Sequence, residues 1–153
     1  MPIAEVNVAR PRYDTEDPRF ADFVDNLDRI NGLAERSIGY IWRLKDEDDT
    51  AMSVRFAADP DLIINLSVWA SVEDLERYVF GTLHHRFYER RAEWFPPLGE
   101  RHFAMWPVAD GHLPDVAEAE ARLAQLNREG PSDDVFGWEA FPGLKLRREK
   151  ACA

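Results

Sequence analysis

At 153 residues, with 19 Lys plus Arg against 29 Asp plus Glu, the chain fits one domain and carries a formal net charge of −10, a balance that disfavours nucleic acid and anionic lipid surfaces as partners. Hydrophobic residues at 45% and aromatic residues at 12% exclude a disordered chain. No stretch approaches the roughly 20 apolar residues of a membrane span, and none reads as a targeting segment, so a cytoplasmic location with no membrane partner is expected. The single cysteine, Cys152, rules out an internal disulfide. Its terminal Ala-Cys-Ala setting offers nothing that would activate a thiol.

In chain order, Ile3 to Ala9 alternates with Val6 and Val8 on one side and Glu5, Asn7 and Ala9 on the other, the period of a half-buried strand. Asp17-Pro18 then supplies a cap and a first-turn proline for an amphipathic helix through Phe20, Phe23, Val24, Leu27, Ile30 and Ala34. Tyr40 to Leu44 alternates again and runs into the charged Lys45 to Asp49 stretch, a solvated loop that lacks the spaced ligands of a calcium site. Leu62 to Trp69 is the strongest strand, with Leu62, Ile64, Leu66 and Val68 on one face and Ile63, Asn65, Ser67 and Trp69 on the other. Ser71 caps a helix expected to run unbroken from Val72 to about Trp94, where Pro96-Pro97 stops it. Arg101 to Val108 is a fourth strand, and Pro114 to Arg128 a third helix closed by Gly130-Pro131. An aromatic tail with Phe136, Trp138 and Phe141 follows, and Lys145 to Lys150 is expected to be solvated and mobile.

Strand, helix, strand, strand, helix, strand is the ferredoxin-like order of an α+β protein. Residues 1–110 would form that sheet and its two helices, and 111–153 a helix and tail packed on the same domain. One sheet face must then be covered by the two helices and the other left bare. Val6, Val8, the Leu62 to Val68 set, Phe103 and Met105 read as the covered face. Asn7, Asn65, Ser67, Trp69, His102 and Trp106, joined by Tyr40 and Trp42, read as the open one, mixing large aromatics with hydrogen-bonding groups. Such a face suits a small-molecule pocket or the core of a homodimer, and in a barrel closed by two sheets it can be both.

On an ideal wheel the long helix turns Leu75, Val79, Phe80, Leu83, Phe87 and Trp94 to the sheet and leaves His84 at the edge of that arc near Arg91. A histidine there can be a general base, an axial haem ligand or a satisfied boundary residue. The spacing of His84, His85, His102 and His112 does not suit zinc. No nucleophile elbow or phosphate loop is present.

The segments Asn65-Leu66-Ser67-Val68-Trp69, His84 through Arg90-Arg91-Ala92-Glu93-Trp94-Phe95, Trp106-Pro107-Val108 with Gly111-His112-Leu113-Pro114, and Glu118 through Gly130-Pro131 together resemble a bacterial family catalogued as domain of unknown function 3291. The resemblance spans about Ala4 to Phe141. It implies a dimeric α/β barrel of the superfamily that includes antibiotic-biosynthesis monooxygenases and several haem-using enzymes, and it picks His84 over His85 by counting back from Trp94-Phe95. Met105-Trp106-Pro107-Val108 departs from the family's usual pair of aromatics before its Val-Pro-x-Gly-His segment, which bears on the pocket rim.

The resulting expectation is a homodimeric enzyme acting on a hydrophobic, aromatic or polycyclic small molecule by monooxygenase-like, lyase or isomerase chemistry without a cofactor. His84 would move the proton and Arg91 would offset developing negative charge. Asn7, Trp42, Asn65, Ser67, Trp69, Phe80, Phe87 and Trp106 would line the substrate site. Two rivals stand beside it: haem held by His84, and a non-catalytic dimeric binding module.

Overall fold

The structure, a computed structural model, describes residues 1–47 and 50–147. Cys152, Asp48, Asp49 and the 148–150 part of the basic tail lie outside the described residues. Four strands, β1 (Ile3–Ala9), β2 (Tyr40–Arg43), β3 (Ile63–Trp69) and β4 (Phe103–Pro107), form one antiparallel sheet in the order β2-β3-β1-β4. With α1 (Ala21–Glu35) and α2 (Val72–Gly81) as the two intervening helices, this is the expected ferredoxin-like plan.

Local chemistry explains the element ends. The Asp17 carboxylate accepts from the Arg19 amide and precedes Pro18 in a single 3-10 turn that leads into α1. The Ser71 hydroxyl accepts from the Asp74 amide at the start of α2, and Asp115 does the same for Glu118 at the start of α5 (Val116–Glu129). Gly130, at φ 77°, closes α5 in a conformation that only glycine adopts at little cost.

The long second helix does not form as one piece. It stops at Thr82, whose backbone is extended, and resumes as α3 (His84–Glu89) and α4 (Arg91–Trp94). The Thr82 hydroxyl donates to the Tyr78 carbonyl at 2.6 Å and accepts from the His84 amide at 3.2 Å, so a β-branched side chain satisfies the backbone groups that the break frees. Everything after Thr82 is therefore rotated away from the ideal wheel.

Register also corrects the assignment of faces. Val6 pairs with Leu66 on one side and Ala104 on the other, and Ala4 with Val68 and Trp106, so Trp106 belongs to the Val6 face. Trp42 pairs with Val68 and joins the same face across a register shift in β2. Phe103 and Met105 lie opposite Asn7 and Glu5, on the other face. Phe103 and Met105 lie under α1 and α2 as expected, whereas Val6, Val8 and the Leu62, Ile64, Leu66 and Val68 set, expected there too, pack against α5 instead.

Among the described residues neither face of the sheet is left bare. Ala4, Val6, Val8, Ile64, Leu66, Val68, Ala104 and Trp106 are all buried within the single chain, against Ala119, Leu123 and Leu126 of α5 and against Phe56 and Val135. The helix expected to pack on the domain, α5, is the layer that covers this face. Trp106 anchors it: the indole donates to Glu118 at 3.0 Å, and the other Glu118 oxygen lies 2.7 Å from His112. The described part of the tail packs on the domain as far as Arg147, whose amide donates to the buried Glu76 at 2.9 Å, and Leu144 is buried.

Leu126 is fully enclosed between α5 and the sheet. Leu126→Ala should lower stability by about 2–5 kcal/mol, the range for truncating a core leucine. Urea unfolding followed by circular dichroism checks this, and a loss under about 1 kcal/mol would show that α5 is not part of the core.

Candidate active site

On the face covered by α1 and α2, the paired strands set side chains in transverse rows. The row of Ile63 ends in an apolar cluster with Phe20 and Trp94. The row of Ile3, Trp69 and Tyr40 lies in another, with Leu75, Tyr78, Val79 and Phe80. Between them run two polar rows, Phe103-Asn7-Asn65 and Met105-Glu5-Ser67-Arg43. A polar belt thus crosses the sheet beneath the helices, and the exposed Asn65 shows that solvent reaches it.

Glu5 is the centre of the belt and is only 3% exposed. Ser67 donates to one carboxylate oxygen at 2.6 Å and Asn7 to the other at 3.1 Å, while the Ser67 oxygen accepts from the Trp69 indole at 2.9 Å. Burial raises the Glu5 pKa to about 7, outweighing the opposing pull of the Ser67 and Asn7 hydrogen bonds. The carboxyl is therefore divided between its two protonation states near neutral pH, as an acid/base catalyst requires. Arg43, in the same row, is buried and ion-paired to Glu35 at 2.8 Å.

The chain of contacts continues into the helices. Trp69 stacks on Tyr78 at 5.0 Å, and Tyr78 packs on the His84 ring at 4.8 Å. His84 Nδ1 lies 3.3 Å from the Val79 carbonyl. Donation to that carbonyl fixes the tautomer and leaves the lone pair on Nε2. Burial lowers the imidazole pKa to about 4, so His84 is neutral at physiological pH.

The residues expected from the sequence separate into four places. Asn7, Asn65 and Ser67 share the belt and Trp69 lies in the apolar row beside it, all on one sheet face as expected, but under the helices and not on an open face. Trp42 and Trp106 are in the α5 core and cannot touch a substrate held by Trp69. Phe87 stacks on Trp94 at 6.1 Å, in the cluster with Phe20. Phe80 and Arg91 line an outer groove, and Arg91 donates to the Tyr88 carbonyl at 2.8 Å with its guanidinium over the Tyr88 ring. Arg91 and His84 therefore do not form one catalytic pair. The break at Thr82 accounts for these last shifts.

Glu5 was missed, along with Arg43, although its signal was present: a carboxylate in phase with Asn7 on a strand whose other phase is wholly apolar.

A family model, Domain of unknown function (DUF3291), matches residues 2–150. The chain belongs to this family. No curated protein matches the sequence. Among solved structures, a conserved protein from Methanosarcina mazei Go1 is 11% identical with a TM-score of 0.52, covering 71% of this chain and 94% of its own. SnoaB, described as a cofactor-independent oxygenase from Streptomyces nogalater, is 16% identical with a TM-score of 0.47, covering 74% and 98%. A putative antibiotic biosynthesis monooxygenase from Chloroflexus aurantiacus J-10-fl is 16% identical with a TM-score of 0.46, covering 73% and 97%. At such identities the Methanosarcina likeness speaks to the fold alone, and no residue role is carried over from any of the three.

The Glu5 environment has a stability signature. An acid whose pKa is about 7 folded and 4.5 unfolded stays protonated in the native state while the unfolded chain ionises, so its contribution is present below pH 4.5 and is lost as pH rises to 7. The loss is about 3 kcal/mol, from about 1.4 kcal/mol per unit. Glu5→Gln should therefore gain stability relative to the native sequence across that interval, read from urea midpoints at pH 4.5, 5.5 and 7. His84 acts in the opposite direction, its depressed pKa withdrawing stability as pH falls from 6.5 to 4. His84→Phe should remove that loss on acidification.

Proposed function

We propose that this protein is a small-molecule enzyme whose substrate, hydrophobic and aromatic or polycyclic, lies against the polar belt and exchanges a proton with Glu5. The buried Glu5 carboxyl, held from both sides by Ser67 and Asn7, carries this reading. The apolar rows on either side suit a flat hydrophobic molecule, and the Asn7 and Asn65 amides at the wet edge suit its polar substituents. Ionised Glu5 removes a proton from a phenolic or enolic substrate, and the resulting anion is the electron-rich species that a monooxygenase-like, lyase or isomerase step requires. Donors already aimed at the Glu5 oxygens hold its geometry through the transfer. Glu5 thus takes the acid/base role first assigned to His84, which lies one aromatic ring beyond, behind Tyr78.

Haem fits the described residues poorly. His84 offers a suitable nitrogen, but its ring is packed on Tyr78, and the surface grooves border His85 and Glu76 instead. A Soret band that forms on adding haemin and vanishes in His84→Ala would overturn the cofactor-free reading. A homodimer remains part of the proposal. Its contact would use the β2 edge, where Ile38 and Ile41 stand exposed, because α5 fills the opposite sheet face.

The activity test is turnover of a panel of polycyclic phenols and hydroquinones, followed by absorbance and dissolved oxygen. kcat/KM should rise with pH through about 7 as Glu5 ionises. Glu5→Gln should lower kcat about 100- to 1,000-fold, the usual weight of a positioned base. Unchanged turnover in that variant would reject Glu5 as the base.

A further inference from the structure

On the outer side of α2 and α3, away from the polar belt, lies a groove of about 340 Å³. Its apolar walls are Phe80, Tyr88 and Trp138, with Phe80 packed 5.4 Å from Trp138 and 5.8 Å from Tyr88 between ring centroids. Its polar lining is His85, Arg91 and Arg147, with Glu89 at the rim.

Two atoms in this lining are unusual. Among the described residues, His85 Nδ1 and Arg147 Nε are the buried side-chain nitrogens that have no hydrogen-bond partner. His85 Nε2 lies 2.8 Å from a Glu89 oxygen, so in the neutral ring Nε2 carries the proton and Nδ1 is an empty acceptor. Arg147 is anchored on either side of its orphan: its amide is bonded to Glu76, and a terminal nitrogen donates to the Phe141 carbonyl at 3.3 Å. Two residues of the groove lining therefore carry one unmet donor and one unmet acceptor, both shielded from solvent, where an unpaired polar atom is unfavourable. Two arginines, Arg91 and Arg147, line it beside one lining carboxylate, Glu89, already engaged by His85, while Glu139 lies within electrostatic reach of Arg147.

We propose that this groove binds a planar aromatic hydroxy acid. The ring stacks against Phe80 and Trp138, the carboxylate accepts from Arg147 Nε and the Arg91 guanidinium, and the phenolic hydroxyl donates to His85 Nδ1. A plain anion would leave His85 Nδ1 unmet, and a neutral phenol would leave the arginines unmet. Both groups on one flat ring satisfy the whole lining.

The test is titration of the full chain with 2-, 3- and 4-hydroxybenzoate, with benzoate, phenol and inorganic phosphate as controls, by calorimetry and tryptophan fluorescence. At least one hydroxybenzoate should bind tenfold or more tightly than any control. Most of the fluorescence change should disappear in Trp138→Phe. His85→Phe and Arg147→Gln should each weaken binding at least tenfold. Arg147→Lys, which keeps the charge but lacks the Nε donor, should weaken it as well. Binding should persist in Glu5→Gln, which separates this groove from the belt. Failure of all three hydroxybenzoates to bind, equal binding of benzoate, phenol or phosphate, or full affinity in the His85 and Arg147 variants with native circular dichroism would overturn the assignment.

Discussion

The central position of β1 constrains everything else in this molecule. Because β1 is hydrogen-bonded on both edges, its register commits two neighbours at once, so that Glu5 must share a row with Ser67 and Met105 while Val6 shares one with Leu66 and Ala104. A slip of one residue would drive Glu5 into the wholly apolar core under α5 and turn Val6 and Val8 toward the belt. The apolar phase of β1, with Ala4 and Val6 fully enclosed, makes that slip prohibitive. Hydrophobic burial on one face is thus what holds a carboxyl in place on the other. The carboxyl in turn is tolerated because it can be neutral and because Ser67 and Asn7 occupy both of its oxygens.

The same constraint shows what was legible in the sequence. Alternation within a strand can be read directly, which is why Asn65, Ser67 and Trp69 were rightly split from Leu66 and Val68, and Asn7 from Val6. Phase between strands is different. It depends on a register that no local pattern encodes, and Phe103 and Met105 alternate just as well against either half of β1. Choosing the wrong half moved Trp106 into the site and left α5 with nothing to cover. The helix break has a similar cause. Gly81-Thr82 weakens a helix only modestly by propensity, and the decision to stop there is made by the Thr82 hydroxyl bonding to the Tyr78 carbonyl and His84 amide. Wheel geometry carried past that point misplaced Phe87 and Arg91.

Register also sorts the five tryptophans by task. Trp106 and Trp42 are structural, and the Trp106 bond to Glu118 explains why the Gly111-His112-Leu113-Pro114 segment precedes α5: His112 holds the other oxygen of that carboxylate. Trp94 closes the cluster at one end of the belt and Trp69 the cluster at the other. Trp138 stacks on Phe103 at 5.2 Å and so stands between the belt's outermost row and the outer groove. The tryptophans are thus distributed over three apolar clusters, with Trp138 standing between the belt and the groove.

The pKa values of the site residues argue for the roles they can take. In water an imidazole outcompetes a carboxylate for a proton by about two units. Here Glu5 stands at about 7 and His84 at about 4, so the order is inverted. The inversion has one origin, since burial disfavours whichever form is charged, raising an acid and lowering a base. A proton entering this layer therefore resides on Glu5 in preference to His84, and the imidazole stays neutral on the far side of Tyr78. That makes Glu5 the group able to hold and release a proton near neutral pH. It leaves His84 as a neutral partner whose fixed tautomer and aromatic contacts position the Tyr78 and Trp69 rings against the belt. With His84 uncharged at neutral pH, Glu5 is the one member of this pair that carries charge when a flat apolar molecule enters the layer, and Ser67 and Asn7 already supply its oxygens with the hydrogen bonds that water would give.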